Sequence, residues 1–463
     1  QGVRILDNEH YYCTIQFTER HKVKQEQEHM FRLAPSEKSD HMEFSCLYSL
    51  QAPKTNIETY HSGMDAVKDY WPSFWLSGGA VQLAESKDSR ALELERRVVL
   101  SQYLTAIQCS GMLPPQETGL TCNSWYGKAH LEMHWWHAVH FALWGRPHML
   151  ENSLWWYDAV IARARKHAQN QGYEGVRWPK MVGPKGIDSP SSVGPLLIWQ
   201  QPHPIIYAEL MYSYSPTKKT LERYQEIVFQ TAEFMADFVH YDQEHDRYVL
   251  GAPLIPAQEN HKAVVTLNPT YELEYWFYAL KIAQTWRERL GMPLNEKWSE
   301  IIQKLSPLPV KNGVYLAHEQ CPDTFTKFNI DHPSMLCALG VLPGYRVDKT
   351  IMRSTLLKVF DCWHWERAWG WDFPVAAMTA ARVGEPHLAV DALFIDSVKN
   401  TWLANGHNYQ RPNLPLYLPG NGALLLAIAI MAAGWLDGPS IHAPGLPQDG
   451  SWTVQWEGLQ RII

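Results

Sequence analysis

The sequence predicts a mainly α protein, an (α/α)6 barrel of six helical hairpins with small β-rich pieces at its two ends. Three observations carry this. Twelve helical stretches can be read from apolar residues at i, i+3, i+4 and i+7 bounded by Gly, Pro, Asn, Asp or Ser. Charged, amphipathic stretches alternate with stretches that are apolar almost all round. Six times, an aromatic loop rich in Pro and Gly leads from the first kind into the second.

The stretches lie near residues 90–108, 130–144, 148–168, 204–214, 218–240, 271–289, 295–305, 332–341, 349–360, 373–383, 387–398 and 420–435. Odd-numbered members such as ALELERRVVLSQYL (91–104) and LERYQEIVFQTAEFMADF (221–238) carry a charged face, which suits an outer ring in contact with water. Even-numbered members such as ALLLAIAIMAAGW (423–435) have no such face and suit an inner ring. No fixed-period repeat accompanies the hairpins, which favours a closed ring over a stacked solenoid. Closure brings six loops to one pocket.

Residues 1–69 have another character. YYCTIQF, HMFRL and MEFSCLYSL alternate apolar and polar positions, the period of strands. The tail SWTVQWEGLQRII (451–463) alternates in the same way after a Pro- and Gly-rich linker and is expected to pair with the N-terminal strands. The expected divisions are a β-rich segment over 1–69, the barrel over 70–436, and a linker with C-terminal strands over 437–463.

Composition narrows the function. The 463 residues include 21 Trp and 22 Tyr, whose rings stack on the flat C–H faces of sugars. A net charge of −7 without a basic run argues against a nucleic-acid surface or an anionic membrane as partner. The longest apolar run, near 423–434, is too short to span a bilayer. The chain begins at Gln1 rather than Met, which leaves room for a leader or a larger part ahead of it. Its 7 Cys form no CxxC or CxH cluster, so mostly free thiols are expected, with neither a structural zinc nor a disulfide framework.

The densest chemistry lies in NSWYGKAHLEMHWWHAVH (123–140). On a helix starting near His130, residues His130, His134 and His137 share one face. HLEMH approaches the HExxH zinc signature, but Glu132 follows His130 by two residues, so the motif fails. No metal ligand and no cofactor are expected, with a structural calcium left open. His130 and Glu132 are expected at the pocket floor, His134 as a further substrate contact, Trp125 and Tyr126 as a stacking wall, and Lys128 as a nearby positive charge.

The second loop, GVRWPKMVGPKGIDSPSSVGPLLIWQQPHP (175–204), is long and aperiodic, a length usually reserved for function or disorder. Trp178, Trp199, Gln200, Gln201 and His203 are candidate sugar contacts. Arg177 and Lys180 suit a carboxylate or phosphate, with free N–H groups where a helix starts near His203. In the third loop, Glu259 sits in a Pro-flanked turn and is the nominated acid. Glu272 complements the following helix dipole or contacts sugar. The last loops add Asp331 and His332; Trp363, His364, Trp365, Glu366, Trp369, Trp371 and Asp372; and His407, Asn408, Tyr409, Arg411 and Tyr417.

SGGAVQL, ELERRVVLSQYLTAIQCSGMLPPQETGLT, NSWYGKAHLEMHWWHAVHFALWGR, IWQQPHP, PAQE and LNPTYELEYW together resemble a bacterial group of six-hairpin carbohydrate-active enzymes of the glycosidase-like kind. The similarity runs from about residue 70 to 435. Within that group the chain is similar to polysaccharide lyase family 27, the L-rhamnose-α-1,4-D-glucuronate lyases, which remove terminal rhamnose from plant arabinogalactan. The resemblance implies a deep pocket, exo-action on an oligosaccharide or polysaccharide containing uronic acid, and a periplasmic or secreted location. It also implies β-elimination by a tyrosine base, leaving a 4,5-unsaturated uronate.

That reaction needs a cation on the carboxylate, a base and a proton donor. Arg177, Lys180 or Arg411 supplies the first, Tyr207 or Tyr126 the second with Tyr409 a weaker third, and His130 or His203 the last. Two other classes compete. Maltose-phosphorylase-like glycosidases share the barrel and place a Glu before an inner helix, which would make Glu259 the general acid of a phosphorylase or an inverting hydrolase. A hydrolase also needs a second carboxylate about 6.5–9.5 Å away, for which Glu366 and Asp372 are the candidates. A non-catalytic glycan-binding protein is the third.

Overall fold

The computed structural model describes residues 1–6, 9–28, 30–37 and 39–462. Two compact units divide the chain, Gln1–Ser77 and Gly78–Ile463.

The first unit holds strands β1 (Gly2–Leu6), β2 (Glu9–Phe17), β3 (Lys22–Gln27), β4 (Met30–Ala34) and β5 (Phe44–Ser49). β1, β2 and β5 form an antiparallel sheet in that order, and β3 and β4 form a separate hairpin. The sequence pattern predicts strand character to residue 69, yet helix α1 occupies Tyr60–Leu76. Thr59 caps it, its hydroxyl accepting from the Ser62 amide at 3.1 Å, and the helix runs on through Pro72.

In the second unit, β6 (Ala80–Gln82) pairs antiparallel with Gln455–Glu457. The tail therefore does not pair with the N-terminal strands. Trp452, Val454 and Leu459 bury their side chains, and the Gln460 amide donates to the Leu143 carbonyl, so the tail is held by helical neighbours.

The helices of this unit are α2 (Ala91–Cys109), α3 (His134–Leu143), α4 (Pro147–Ala159), α5 (Ile161–Asn170), α6 (His203–Tyr214), α7 (Lys218–Phe238), α8 (Thr270–Arg289), α9 (Glu296–Lys304), α10 (Cys337–Gly340), α11 (Lys349–Cys362), α12 (Asp372–Arg382), α13 (Pro386–Leu393) and α14 (Leu418–Ala433). Every residue of α3, α12 and α14 is buried, as sequences without a polar face require. Contacts run α3 to α6, α8, α10, α12, α14 and back to α3. The charged helices α2, α7, α9, α11 and α13 pack against this ring.

Three expected stretches differ. α3 starts at His134 because Ala129–His130 pair as a short strand with Met181–Val182. His130 is therefore not on the helical face that carries His134 and His137. The stretch at 148–168 breaks at Val160 into α4 and α5. The stretch at 332–341 shrinks to a 3-10 turn, Ser334–Leu336, and the single turn of α10, because Asp331 adopts a φ of 63° and Pro333 follows two residues later. Among the described residues no helix is long and apolar enough to cross a membrane.

α14 approaches α3 at a glycine. A Cβ on Gly422 would lie 1.8 Å from the Trp136 carbonyl oxygen, a backbone atom with no rotamer by which to withdraw. Gly422→Ala gains about 1 kcal/mol of helix propensity but overpacks this contact, and a net loss of about 2 kcal/mol is expected. Urea denaturation should show it as a lower midpoint with an unchanged slope.

Candidate functional site

Each of the six loops that lead into an inner helix sends side chains to one cavity of about 270 Å³. The first contributes Glu117, Trp125, His130 and Met133, the second Lys180 and the third Glu259. Asp331 and His332 come from the fourth, Trp369 from the fifth, and Arg411 and Tyr417 from the sixth.

A row of ion pairs and hydrogen bonds connects these loops. Glu117 Oε1 lies 3.0 Å from His130 Nδ1, which lies 3.2 Å from Glu132 Oε1. Glu132 Oε1 is 3.7 Å from Lys180 Nζ, which meets Glu259 Oε1 at 2.5 Å. The Glu259 amide donates to Asp331 Oδ2 at 3.1 Å. His332 Nε2 is 3.6 Å from Asp331 Oδ1, and His332 Nδ1 donates to Asp372 Oδ1 at 2.9 Å.

Burial alone would push the His130 pKa down, but the carboxylates of Glu117 and Glu132 outweigh it and hold it at about 10. His332 is held at about 9 in the same way, by Asp372 and Asp331. Lys180 is raised despite burial by Glu132 and Glu259. Asp331 moves the other way for a carboxyl: burial pushes it up to about 6 against the pull of His332, with Glu259 adding to the rise. Both cavity imidazoles are thus cations at neutral pH. Glu117, His130 and Glu132 bring donor atoms within 4.8 Å of one another and form a buried ion-paired trio.

Some polar atoms on this floor are left over. Glu117 Oε2 and His130 Nε2 are buried without a hydrogen-bond partner among the described residues. An acceptor and a donor are therefore available to a ligand. Above them, Trp125 stands 5.2 Å from His130 and 6.4 Å from Trp369, and Trp369 stands 5.6 Å from Tyr417. Trp125 and Asp331 both hold a positive φ, 43° and 63°, an uncommon conformation that concentrates at functional sites.

Several expected site residues serve as scaffold. The Glu132 side chain is wholly buried behind His130. Glu272 accepts the Ala257 amide at 2.6 Å and so ties the Glu259 loop to the start of α8. Asp372 is buried behind His332 and also accepts the Trp369 amide at 2.7 Å. Arg177 is buried and donates to the carbonyls of Trp178, Pro195 and Leu197 and to Gln201 Oε1. Gln200 and Gln201 donate to the carbonyls of Trp178 and Val176. Trp178 donates to Thr231, and Trp199 packs on His203 and Tyr271. These groups fix the second loop internally and do not line the cavity.

The other nominations also fall outside it. Tyr207 is buried among His134, Tyr157 and Trp135, and burial pushes its hydroxyl pKa well above the usual value, the wrong direction for a base. Tyr126 is 93% exposed. His203 lies between the Tyr275 hydroxyl and the Glu132 carbonyl, and burial lowers it to about 3. His134 bonds Tyr157 and Ser153. Lys128 sits in the turn after Trp125, Tyr409 pairs with Thr401 in a two-residue strand, and Trp365 packs on Phe373. Glu366 is exposed beside His364.

Glu117 and Met133 line the cavity although nothing in the helical pattern nominated them. A signal for Glu117 does exist: PPQE (114–117) matches PAQE (256–259), and both motifs end on a cavity glutamate. In each, the preceding Gln braces its loop by donating to carbonyls, Gln116 to Cys122 and Gln258 to Ile330.

The charge network sets a pH dependence. A His whose folded pKa exceeds its unfolded value of about 6.5 contributes stability that is complete below that value and lost as pH rises through the folded pKa. With His332 at about 9 and His130 at about 10, the thermal midpoint should fall progressively from pH 7 to 10. His332→Gln should flatten that decline. A flat profile for the unaltered chain would contradict the network.

No family model and no curated protein sequence matches this chain. Solved structures do. A protein provisionally named kojibiose phosphorylase from human microbiome superposes with a TM-score of 0.65 at 9% identity, over 98% of this chain and 68% of its own. A structure named glycosidase, wild type, gives 0.55 at 14% identity over 73% and 97%. A glycosidase variant in complex with glucose gives 0.54 at 15% over 77% and 99%. The chain is similar in fold to these proteins.

Proposed function

We propose that this chain is an (α/α)6-barrel enzyme that cleaves a glycosidic bond in the six-loop cavity, as a glycoside hydrolase or phosphorylase, with Glu259 as proton donor. The observation that carries this is the accessibility of Glu259. Its side chain is 25% exposed at the cavity, against 4% for Glu117 and 0% for Glu132. Asp331 shares the wall, but its two oxygens already accept from the Glu259 amide and from Trp369 Nε1. The fold likeness to proteins named glycosidase and phosphorylase supports the same class.

In this reading, substrate parts Glu259 from Lys180, Glu259 takes up a proton from solvent and passes it to the departing oxygen, and Lys180 again pairs with the carboxylate that remains. The positive charge that develops on the sugar faces Glu117 and Asp331, which stabilise it by charge rather than by bonding. The attacking group is water activated by Glu117, or inorganic phosphate. Phosphate has support on one side of the cavity: Lys399 and Arg411 lie 4.9 and 5.7 Å from the centre of the Trp369 ring. Lys399 is pushed down by burial and then by the Arg411 charge, against the pull of Asp372 and Asp331.

Elimination is the weaker reading because it lacks a suitable tyrosine base. Among the described residues Tyr417 alone of the tyrosines lines the cavity. Burial, then the charges of Glu117, Asp372 and Glu132, push its hydroxyl well above its ordinary value.

Glu259→Gln should lower kcat/KM by about 10²–10⁴-fold with the fold intact by circular dichroism. Tyr207→Phe and Tyr126→Phe should change it by less than about 10-fold, because neither hydroxyl reaches the cavity. The assay is sugar release from a panel of oligosaccharides, run with and without inorganic phosphate. Release that needs phosphate and is lost in Arg411→Ala assigns the phosphorylase; release indifferent to phosphate assigns the hydrolase. Activity that survives Glu259→Gln and disappears in a tyrosine variant would overturn the proposal.

A further inference from the structure

Behind the cavity wall, three side chains with borderline-soft donor atoms are buried together, and the chemistry above uses none of them. His261, His318 and Cys321 are 5%, 3% and 2% exposed, and each places one ligand atom within 4.8 Å of the other two. His261 ends the segment QENH of the third loop. His318 and Cys321 share the turn HEQC, closed by a 2.9 Å bond from the Cys321 amide to the His318 carbonyl. The two imidazole rings meet edge to face at 4.7 Å, and Phe328 stacks on the outer face of His261 at the same distance.

We propose that His261, His318 and Cys321 form a binding site for a transition-metal ion of the zinc class. Two imidazoles and a thiolate are the donor set that selects zinc over magnesium or calcium. With metal–ligand bonds of about 2.0–2.3 Å in tetrahedral geometry, donor atoms stand about 3.5 Å apart, so atoms that lie within 4.8 Å of one another need only a small closure on binding. Among the described residues no Asp or Glu joins the three at that distance, which leaves a fourth position to water. Two contacts compete: the Gln320 amide donates to His318 Nδ1 at 3.3 Å, and the Thr324 hydroxyl lies against the Cys321 thiol.

The surroundings supply the support that metal-bound histidines require. His261 Nε2 donates to Gln258 Oε1 at 3.0 Å, which leaves the lone pair of the neutral ring on Nδ1. Gln258 Nε2 in turn donates to the carbonyls of Phe328 and Ile330. A metal here ties the third loop to 318–321 and, through Gln258, to the segment that ends at Asp331. It acts as a staple that positions Glu259 and Asp331 without touching a substrate. The proposal holds whichever reaction the cavity performs.

The test uses the full chain, stripped with a chelator and titrated with Co²⁺ alone. One equivalent should bind and produce a thiolate-to-cobalt charge-transfer band that Zn²⁺ abolishes. Cys321→Ser should lose the band with its circular dichroism unchanged. Gln258→Ala should weaken binding by about 10–100-fold, as loss of an outer partner does. His261→Ala and His318→Ala give a second route should Cys321→Ser not fold, each weakening Co²⁺ binding by at least about 10-fold. An unaltered chain without the band, a band that survives Cys321→Ser, or full affinity in both histidine variants would overturn the site.

Discussion

The ion pairs from Glu117 to Asp372 are the constraint on which the cavity depends. Most members are buried, with Glu259 and Asp331 the most accessible, and a buried charge is stable only with an opposite charge beside it. Opposite neighbours solve this along most of the row; the exception is Glu259 beside Asp331, two acidic groups bridged by the Glu259 amide, and there Asp331 is pushed up to about 6. The pairing also dictates positions: His130 has to lie between Glu117 and Glu132, and Lys180 has to reach both Glu132 and Glu259. The first two loops, already joined by the pairing of Ala129–His130 with Met181–Val182, are thereby tied to the third. Removing one member leaves its neighbours as buried, uncompensated charges, so the network is tied to fold and site together.

Outside this row, further polar bonds hold the loops. Glu272 pins the Ala257 amide, Asp372 pins the Trp369 amide, and Arg177 gathers three carbonyls of the second loop. The close seat of Gly422 against Trp136 sets the spacing of α14 and α3, the helices that follow the sixth and first loops. The helical frame places the loops, buried polar bonds shape them, and the charges finish the cavity. A preorganised set of charges of this kind suits stabilisation of a cationic transition state more than it suits removal of a proton by a tyrosine.

Much of the helical frame was legible because apolar periodicity is a local property. α2, α7, α8 and α14 lie close to where the pattern puts them. The failures come where one residue or a distant partner overrides the pattern: a left-handed Asp331 shortens the α10 stretch, and a strand pairing with Met181 takes His130 off α3. Site legibility followed the same rule. Glu259, Lys180, His332 and Arg411 were readable as polar residues in irregular loops, and all four line the cavity. Arg177, Trp199 and Tyr207 have the same residue types in the same kind of loop or helix start, yet they face inward, and only tertiary packing decides between the two fates. The metal cluster escaped because a search for CxxC or CxH passes over the His-x-x-Cys spacing, and its third ligand lies fifty-odd residues away.

The central claim is that the cavity breaks a glycosidic bond by protonating the departing oxygen and not by elimination. The most direct test follows the products formed from a panel of neutral oligosaccharides together with rhamnose-capped arabinogalactan oligosaccharides. Ultraviolet absorbance of an unsaturated uronate and chromatography of free sugar or sugar phosphate are recorded in parallel. The account predicts released sugar or sugar phosphate with no rise in absorbance. Absorbance rising in step with free rhamnose would contradict it.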